Sequence, residues 1–374
     1  MMHYRIAFCI RPDYDNPLGG DGVQMLKTKQ YLEAAYPLAI TIITVPSEIT
    51  PDCDLVHVFN FATYRFTRQC IDQANKLGIP VVSSCIYWDY SYASTERIAK
   101  LFGYARYTSS LFMRVALSIL NITKRVFSRP SGISYVFKRH VKQFIRQSAL
   151  ILPNSEEEAQ LLLQFSGLPQ SAHDKFRVVY NAVDPLQNQD VQLEKQDFLA
   201  KYNLPENYIL QVGRIEYIKN QLNLLFALKD EPRIPIVFVG RICDRVYYKR
   251  LRQIADKRGN VYFIDSVEHR EVGLFYKYAA VHVLLSLRES PGLVSLEALQ
   301  HHCPIVTSTE AFLPVKTYFE NSPYIANPFD IEEIRCVVLR AYTERHVVDI
   351  DFSKLSWNHV AGQTYEAYQE IFRA

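Results

Sequence analysis

The sequence predicts an α/β fold of two doubly wound parallel-sheet domains separated by a cleft. The chain has 374 residues, which is longer than one ordinary hydrophobic core accommodates. Short apolar runs alternate with helical patterns, and the second half of the chain repeats the alternation of the first. Such alternation is typical of a parallel sheet with helices on both faces, where ligands bind at the carboxyl ends of the strands.

The first half contains five predicted strands and two predicted helices. In chain order the strands are residues 5–10, 39–45, 55–59, 80–84 and 149–152, and the helices are residues 24–35 and 66–77. In the second half the strands are residues 208–212, 234–239, 261–264, 281–285 and 305–307, and the helices are residues 220–229, 247–257, 271–278 and 292–301.

Domain boundaries follow from a polar stretch near the middle of the chain. Residues 184–196 include Pro185 and have no sustained periodicity, which is typical of a linker. We therefore predict an N-terminal domain over residues 1–184, a linker over 185–200 and a C-terminal domain over 201–356. Residues 357–372 carry apolar side chains at helical spacing, and we expect residues 357–374 to pack back on the first domain.

Composition excludes several classes of protein. The net charge of +3 is too small to indicate a nucleic-acid partner. Seven scattered cysteines, with no CxxC pair, argue against a disulfide framework or a zinc site and favour a reducing cytoplasm. No uncharged apolar stretch approaches the roughly 18 residues that a membrane-spanning helix needs.

The run ESPGLVSLE at residues 289–297 places two carboxylates eight residues apart, directly after a buried strand. Ser290 is predicted as the N-cap of the following helix, with Pro291 at its first position. The amides expected to face outward, as in phosphate sites, are those of Gly292, Leu293 and Val294. Glu289 would suit hydroxyl groups beside a phosphate, and Glu297, two turns later, a second polar group. Alternatively, the run is a helix start that binds nothing.

Two further segments have residues that suit phosphate binding. Gly213 and Arg214 end a predicted strand, and Lys219 follows five residues later, so that two cations could neutralise a diphosphate. A solvated charged turn would have the same pattern. Gly19 and Gly20, in the first strand-to-helix loop, would let the backbone approach a phosphate or sugar closely, although a mobile surface turn explains them equally well.

Taken together, these segments resemble the retaining glycosyltransferases with two Rossmann-like domains, the GT-B architecture, and specifically family 4. The resemblance covers nearly the whole chain in order. Its motifs are Gly19-Gly20, residues 152–155 (LPNS), 179–184 (VYNAVD), Gly213-Arg214 with Lys219, 237–240 (VFVG), and Glu289 to Glu297 as the family's E-x7-E.

The resemblance implies a role for each matched residue. Arg214 and Lys219 would bind the donor diphosphate with the amides of residues 292–294, while Glu289 contacts the donor sugar and Glu297 the ribose. The Gly19-Gly20 loop would close over the phosphates. The implied catalytic residues are Glu289, Arg214 and Lys219, and the implied donor-binding residues are Gly19, Gly20, Gly213, Gly292, Leu293, Val294 and Glu297.

The implied reaction transfers a sugar from a nucleotide sugar to an acceptor hydroxyl with retention of anomeric configuration. The nucleotide sugar is a substrate, and neither a cofactor nor a metal is expected, because Arg214, Lys219 and the helix supply the positive charge.

The chain departs from the family in three places. Many members have a histidine after the strand that corresponds to residues 80–84, whereas this chain has Cys85 to Asp89 and no histidine. Tyr87, Trp88 and Asp89 are the candidate acceptor-side residues there. The usual NGVD reads Asn181 to Asp184 with alanine in place of glycine, and His301-His302 replace a glycine common after the E-x7-E helix.

Residues 97–155 contain eleven Lys or Arg and no Asp or Glu. Because cations interleave with apolar residues, this basic segment suits an anionic membrane surface, where each cation adds about 1 kcal/mol. The expected partners are therefore a nucleotide sugar, a lipid-linked or glycan acceptor and the inner face of the cytoplasmic membrane, with no nucleic acid. A helical pair packing on the first domain, or a nucleic-acid patch, would be alternatives.

The favoured function is assembly of a cell-envelope glycan such as lipopolysaccharide, O-antigen or capsule. Two alternative functions are a nucleotide-sugar epimerase on the same fold and a non-catalytic nucleotide-sugar-binding scaffold. The sequence does not specify the donor, the acceptor or the oligomeric state.

Overall fold

The structure is a computed structural model that describes residues 3–15, 19–88, 96, 99–100, 104, 132–186, 193–265 and 267–373. The described residues form two compact units. The first combines the stretches Met1–Trp88, Arg129–Asp184 and Asp351–Ala374, and the second combines Asp89–Ser128 with Pro185–Ile350. Each unit has its own parallel sheet and its own hydrophobic core.

The sheet of the first unit has the strand order β2-β1-β3-β4-β5, and that of the second has the order β11-β10-β9-β6-β7-β8. The strands are β1 Tyr4–Cys9, β2 Leu38–Ile43, β3 Leu55–Phe59, β4 Val81–Ser84, β5 Leu150–Leu152, β6 Ile209–Val212, β7 Ile236–Val239, β8 Val261–Ile264, β9 Val281–Leu284, β10 Ile305–Ser308 and β11 Ile325–Ala326. All the ladders are parallel, so the carboxyl ends of neighbouring strands meet at one edge of each sheet.

Helices connect the strands and cover the sheets. In the described residues they are α1 Gly20–Ala35, α2 Tyr64–Lys76, α3 Gly132–Gln147, α4 Glu156–Ser166, α5 Lys195–Tyr202, α6 Gln221–Ala227, α7 Arg245–Arg258, α8 His269–Tyr278, α9 Leu293–Gln300, α10 Val315–Tyr318, α11 Ile331–Glu344 and α12 Trp357–Phe372. Within these residues, no helix is both long and apolar enough to span a bilayer.

The predicted α/β fold with two parallel sheets is confirmed. All ten predicted strands are present, each with ends within two residues of the prediction, because buried parallel strands read as short apolar runs. The start of α1 was predicted four residues late, since Gly20 to Val23 have no apolar periodicity. Among the described elements, the prediction missed β11 and five helices: α3, α4, α5, α10 and α11.

The C-terminal helix α12 lies in the core of the first unit. His57 on β3 is hydrogen-bonded through Nδ1 to the Tyr368 hydroxyl (2.6 Å) and through Nε2 to Ser84 Oγ (2.9 Å). The Phe372 ring stacks on Tyr4 with ring centroids 3.8 Å apart. Complete burial lowers the pKa of His57 to about 3, so the imidazole is neutral at physiological pH.

Helix α5 occupies the end of the stretch 185–200 that the sequence suggests as a linker. Phe198 is buried, and its ring lies 4.9 Å from that of Phe275 on α8. The Lys201 ammonium also forms an ion pair with Glu271 (2.7 Å). These contacts make α5 part of the second unit.

Four described residues from the first half of the sequence pack in the second unit, although they lie within the predicted N-terminal domain 1–184. Tyr104 is fully buried, its ring is 5.3 Å from that of Tyr247, and its hydroxyl donates to Asp244 Oδ2 (3.3 Å). Lys100 pairs with the same carboxylate at 3.3 Å and with Glu96 at 2.8 Å, and Ala99 joins the hydrophobic core. These residues belong to the second unit because of tertiary contacts, although they precede the rest of that unit by about eighty residues or more in the sequence.

Candidate functional site

The structure brings Lys219 and Glu289 together at the carboxyl ends of β6 and β9. These strands are neighbours, with Ile209 paired to Val281, so the loops that follow them meet although the two residues are 70 positions apart. The Lys219 ammonium donates to Glu289 Oε1 in a short ion pair. The two side chains are 15% and 13% exposed, so solvent screens this pair less than a surface one.

Hydrogen bonds to the backbone fix the two loops. The Leu287 amide donates to the Ile218 carbonyl (2.8 Å), and the Gln211 side-chain amide donates to the Lys219 carbonyl (2.6 Å). The Glu289 amide donates to the Phe312 carbonyl (2.9 Å). Each loop is therefore held by contacts outside itself, so the backbone that carries both charged side chains is preorganised.

Arg214 lies on the same loop as Lys219 and is more accessible. Its guanidinium is paired with Glu216 (2.8 Å), yet its side chain is 52% exposed. Burial raises the pKa of Glu216, while the positive charges of Arg214 and Lys219 oppose that rise. A half-exposed guanidinium presents several N–H donors, which suits a phosphate oxygen.

Two glycines allow β6 and β7 to end close together. Gly213 and Gly240 follow the two strands and have φ of +146° and +144°, a backbone conformation that residues other than glycine rarely adopt. A Cβ atom on Gly240 would lie 2.3 Å from the Gly213 carbonyl oxygen. Gly240 is thus required for the path of the backbone that carries Arg214.

The start of α9 differs from the prediction. Ser290 is not the N-cap and Pro291 is not the first helical residue; the helix begins at Leu293, with Gly292 as N-cap at φ +93°. The left-handed turn at Gly292, preceded by a cis Ser290–Pro291 bond, delays the helix by two residues. Leu293 and Val294 keep their predicted place in the first turn, where amides have no partner within the helix, whereas Gly292 lies just before it.

Glu297 lies further along α9 and stays partly exposed. Its Oε2 accepts a hydrogen bond from the Tyr276 hydroxyl on α8 (3.0 Å). His302, the second of the two histidines that stand where the family has a glycine, has a left-handed backbone with φ +55°.

Gly19 and Gly20 form the start of α1 rather than a loop that runs on to residue 23. Gly19 is the N-cap, and its carbonyl accepts from the Val23 amide (3.0 Å). Asp21 in the first turn is held by Arg11 Nε (3.0 Å) and the Asn60 side-chain amide (2.9 Å). These contacts offset desolvation and lower the pKa of Asp21.

Tyr87 and Trp88 are buried in the first unit, with 3% and 1% of their surface exposed. The Tyr87 ring packs 5.4 Å from that of Phe165, and its amide donates to Glu158 Oε1 (2.6 Å). The structure thus gives both rings a packing role, and acceptor contact stays a prediction. Asp89 lies outside the described residues.

Sequence reasoning missed a cavity of about 630 Å³ beside Arg214 in the second unit. Charged side chains dominate its lining: Glu96, Lys100, Arg214, Glu216, Asp244, Arg245 and Arg288. Glu96 and Lys100 had no recognisable signal, because they precede the site by more than a hundred residues. No group of three or more metal-binding side chains converges within the described part of the chain.

Comparison with known proteins bears on what such a site does. Residues 194–342 match the family model of glycosyl transferases group 1. This range includes Arg214, Lys219, Glu289 and Glu297, so the residues that the structure gathers at the ends of β6 and β9 all fall within the matched region.

Curated relatives agree with the family model. An uncharacterised glycosyltransferase of Methanocaldococcus jannaschii is 27% identical over 212 residues, which are 52% of this chain and 54% of the relative. A serotype-specific mannosyltransferase, WbdA of Escherichia coli, is 24% identical over 257 residues, which are 64% of this chain and 31% of the relative. The chain therefore matches about half or less of the length of these relatives. Together with the family model, they support a glycosyltransferase.

Solved structures show the same fold. Sucrose-phosphate synthase from Thermosynechococcus elongatus superposes with a TM-score of 0.68 at 16% identity, covering 99% of this chain and 100% of that one. HepE of Anabaena, in complex with UDP and glucose, gives a TM-score of 0.62 at 14% identity, covering 98% and 95%. The fold is the GT-B type, with two Rossmann-like domains.

Proposed function

We propose that this protein is a retaining, metal-independent glycosyltransferase that moves a sugar from a nucleotide-sugar donor to an acceptor hydroxyl. One observation carries the proposal: Lys219, Arg214, Glu289 and the start of α9 gather at the carboxyl ends of β6 and β9. The match of residues 194–342 to the model of glycosyl transferases group 1 and the UDP and glucose bound by HepE support it.

The cations would act on the leaving group. As the bond between the anomeric carbon and the diphosphate oxygen breaks, negative charge grows on the diphosphate. Arg214, Lys219 and the amides of Leu293 and Val294 would stabilise that charge, and each preorganised donor of this kind contributes about 10²- to 10³-fold in rate. The acceptor oxygen bonds to the anomeric carbon, and its proton passes to an oxygen of the departing diphosphate. In this proposal the residues supply the positive charge that a metal would otherwise provide.

The ion pair between Lys219 and Glu289 is compatible with this role. An ammonium has three N–H donors, so Lys219 can keep one on Glu289 and direct another to a diphosphate oxygen. Glu289 would then neutralise part of the cation in the free protein and offer its remaining lone pairs to the hydroxyls of the donor sugar. Repulsion from the donor phosphates is reduced because Lys219 lies between them and the carboxylate.

The acceptor is proposed to be a lipid-linked or other cell-envelope glycan at the inner face of the cytoplasmic membrane. The mannosyltransferase relative is described as serotype-specific, and the basic segment 97–155 contains no acidic residue. Most of that segment lies outside the described residues. Its described helix, α3, buries Val141, Phe144 and Ile145 in the first unit and exposes Lys138 and Arg139.

The test begins with thermal shifts across nucleotide sugars, because a ligand that binds the folded state raises the melting temperature. The stabilising donor is then assayed for transfer with lipid extracts and glycan acceptors. We expect Lys219→Ala and Glu289→Gln to lower kcat about 100-fold or more. Lys229→Ala is the matched control, since that lysine is 68% exposed in the same unit.

Three results would contradict the proposal. Full transfer activity in folded Lys219→Ala and Glu289→Gln proteins would remove the site assignment. Isomerisation of the donor sugar without any acceptor would identify an epimerase. Tight nucleotide-sugar binding with no product under any acceptor condition would identify a non-catalytic scaffold.

A further inference from the structure

A buried tyrosine contacts one of the two carboxylates of the E-x7-E run. The Tyr276 hydroxyl on α8 donates to Glu297 Oε2 on α9 at 3.0 Å. Tyr276 is 1% exposed, whereas Glu297 remains partly exposed. The hydroxyl therefore contacts a carboxylate that remains partly accessible to solvent.

Two aromatic contacts fix the Tyr276 ring. The His301 ring stacks on it with centroids 5.9 Å apart and planes 21° from parallel. The His282 ring meets it edge-on at 5.4 Å. A ring held on two sides has little freedom to turn its hydroxyl away from Glu297.

A glycine makes the stack possible. Gly273 precedes Tyr276 by one helical turn, so both lie on the same face of α8. A Cβ atom on Gly273 would lie 2.6 Å from His301 Cε1 and would displace the imidazole. His301, which departs from the family pattern at this point, thus has a packing role that depends on Gly273.

Tyr276 remains a hydrogen-bond donor at neutral pH. Burial and the negative charge of Glu297 both raise the pKa of the Tyr276 phenol well above its ordinary value. A neutral phenol can donate to a carboxylate, and a bond to a charged acceptor is among the stronger hydrogen bonds in proteins.

We infer that Tyr276 is a positioning residue that orients the Glu297 carboxylate for the ribose hydroxyls of the donor nucleotide. The inference rests on the proposed function and on the ribose contact that the family resemblance implies for Glu297. A free glutamate side chain samples many rotamers, and fixing one before binding removes that entropic cost from the binding step. Tyr276 therefore strengthens binding only for ligands that have ribose hydroxyls.

Tyr276→Phe tests this directly, because it removes the hydroxyl and keeps the ring. The probe is UDP or GDP, whichever the wild-type protein binds more tightly, together with its 2′,3′-dideoxy analogue. Calorimetry should show the ribonucleotide bound about tenfold more weakly by Tyr276→Phe, with the dideoxy affinity unchanged. In a Glu297→Ala background, which has no side-chain acceptor for the Tyr276 hydroxyl, adding Tyr276→Phe should change neither affinity.

Tyr278→Phe is the matched control. It also lies on α8, but its hydroxyl donates to the Leu193 carbonyl (2.6 Å), so we expect no change in ribose preference. Equal weakening of both ligands by Tyr276→Phe, or no weakening of either, would overturn the positioning role while leaving the proposed function intact. Absence of nucleotide binding in the wild-type protein would overturn both.

Discussion

Gly240→Ala should disturb the site through the backbone, without altering any side chain that contacts a ligand. The added Cβ would lie 2.3 Å from the Gly213 carbonyl oxygen, and real Cβ atoms essentially never approach closer than 3.0 Å. One strand end must therefore move by at least 0.7 Å. Because Arg214 follows Gly213 directly, its guanidinium would move as well.

The magnitude has two parts. A side chain at positive φ costs about 1–3 kcal/mol, and forcing an extra carbon into a packed position costs about 1–3 kcal/mol more. The moving strand end also weakens the hydrogen bonds from the Gly213 amide to Val239 (2.9 Å) and from the Gly240 amide to Ile264 (2.8 Å). Together these contributions should lower the free energy of unfolding by about 2–6 kcal/mol. Transfer should fall about 100-fold, as for a 1 Å misplacement.

Gly259→Ala separates the two contributions. Gly259 also has positive φ (+76°) in the second unit, but a Cβ atom there meets no other atom within 4 Å. It should lose only about 1–3 kcal/mol of stability and keep its activity. Urea unfolding and initial transfer rates at 15 °C measure both quantities. The reasoning is refuted if Gly240→Ala matches Gly259→Ala in stability and the wild-type protein in rate.

Two further predictions concern pH and membrane binding. Burial lowers the pKa of His57 and His282 to about 3, whereas the value in the unfolded chain is near 6.5. Below pH 6.5 the unfolded chain therefore binds more protons than the folded protein, and the free energy of unfolding falls as the pH falls. Each histidine should lower the free energy of unfolding by about 2 kcal/mol between pH 7 and pH 5, as measured by urea unfolding. A free energy of unfolding that does not change with pH over this range, and that His57→Gln leaves unaltered, would contradict this. The double variant Lys138→Ala, Arg139→Ala should bind anionic vesicles about 30-fold more weakly in a sedimentation assay, because each cation contributes about 1 kcal/mol. Neutral vesicles are the control, and equal affinity of the wild-type protein for both vesicle types would argue against a membrane role.

Sequence patterns located most strands and helices because apolar periodicity follows directly from burial. They did not locate the start of α9, where a left-handed glycine overrides the preference of Ser290 for the N-cap position. They gave no bounds for α3, and packing of helices on the first domain was only an alternative for the basic segment, although Val141, Phe144 and Ile145 are buried there at helical spacing. Whether an N-cap preference or a helical spacing of apolar residues is realised in the fold depends on the residues that pack against that segment.

The alternation of buried strands and helices, and the charged residues that follow β6 and β9, can be read directly from the order of amino acids. Which of those residues meet depends on the folded chain, since Lys219 and Glu289 are brought together by the pairing of two strands distant in sequence. The same holds for Tyr276 and Glu297, and for the packing of Tyr104 in the second unit. Apolar periodicity indicates that a residue is buried, but which distant residues it contacts depends on the packing of the whole unit.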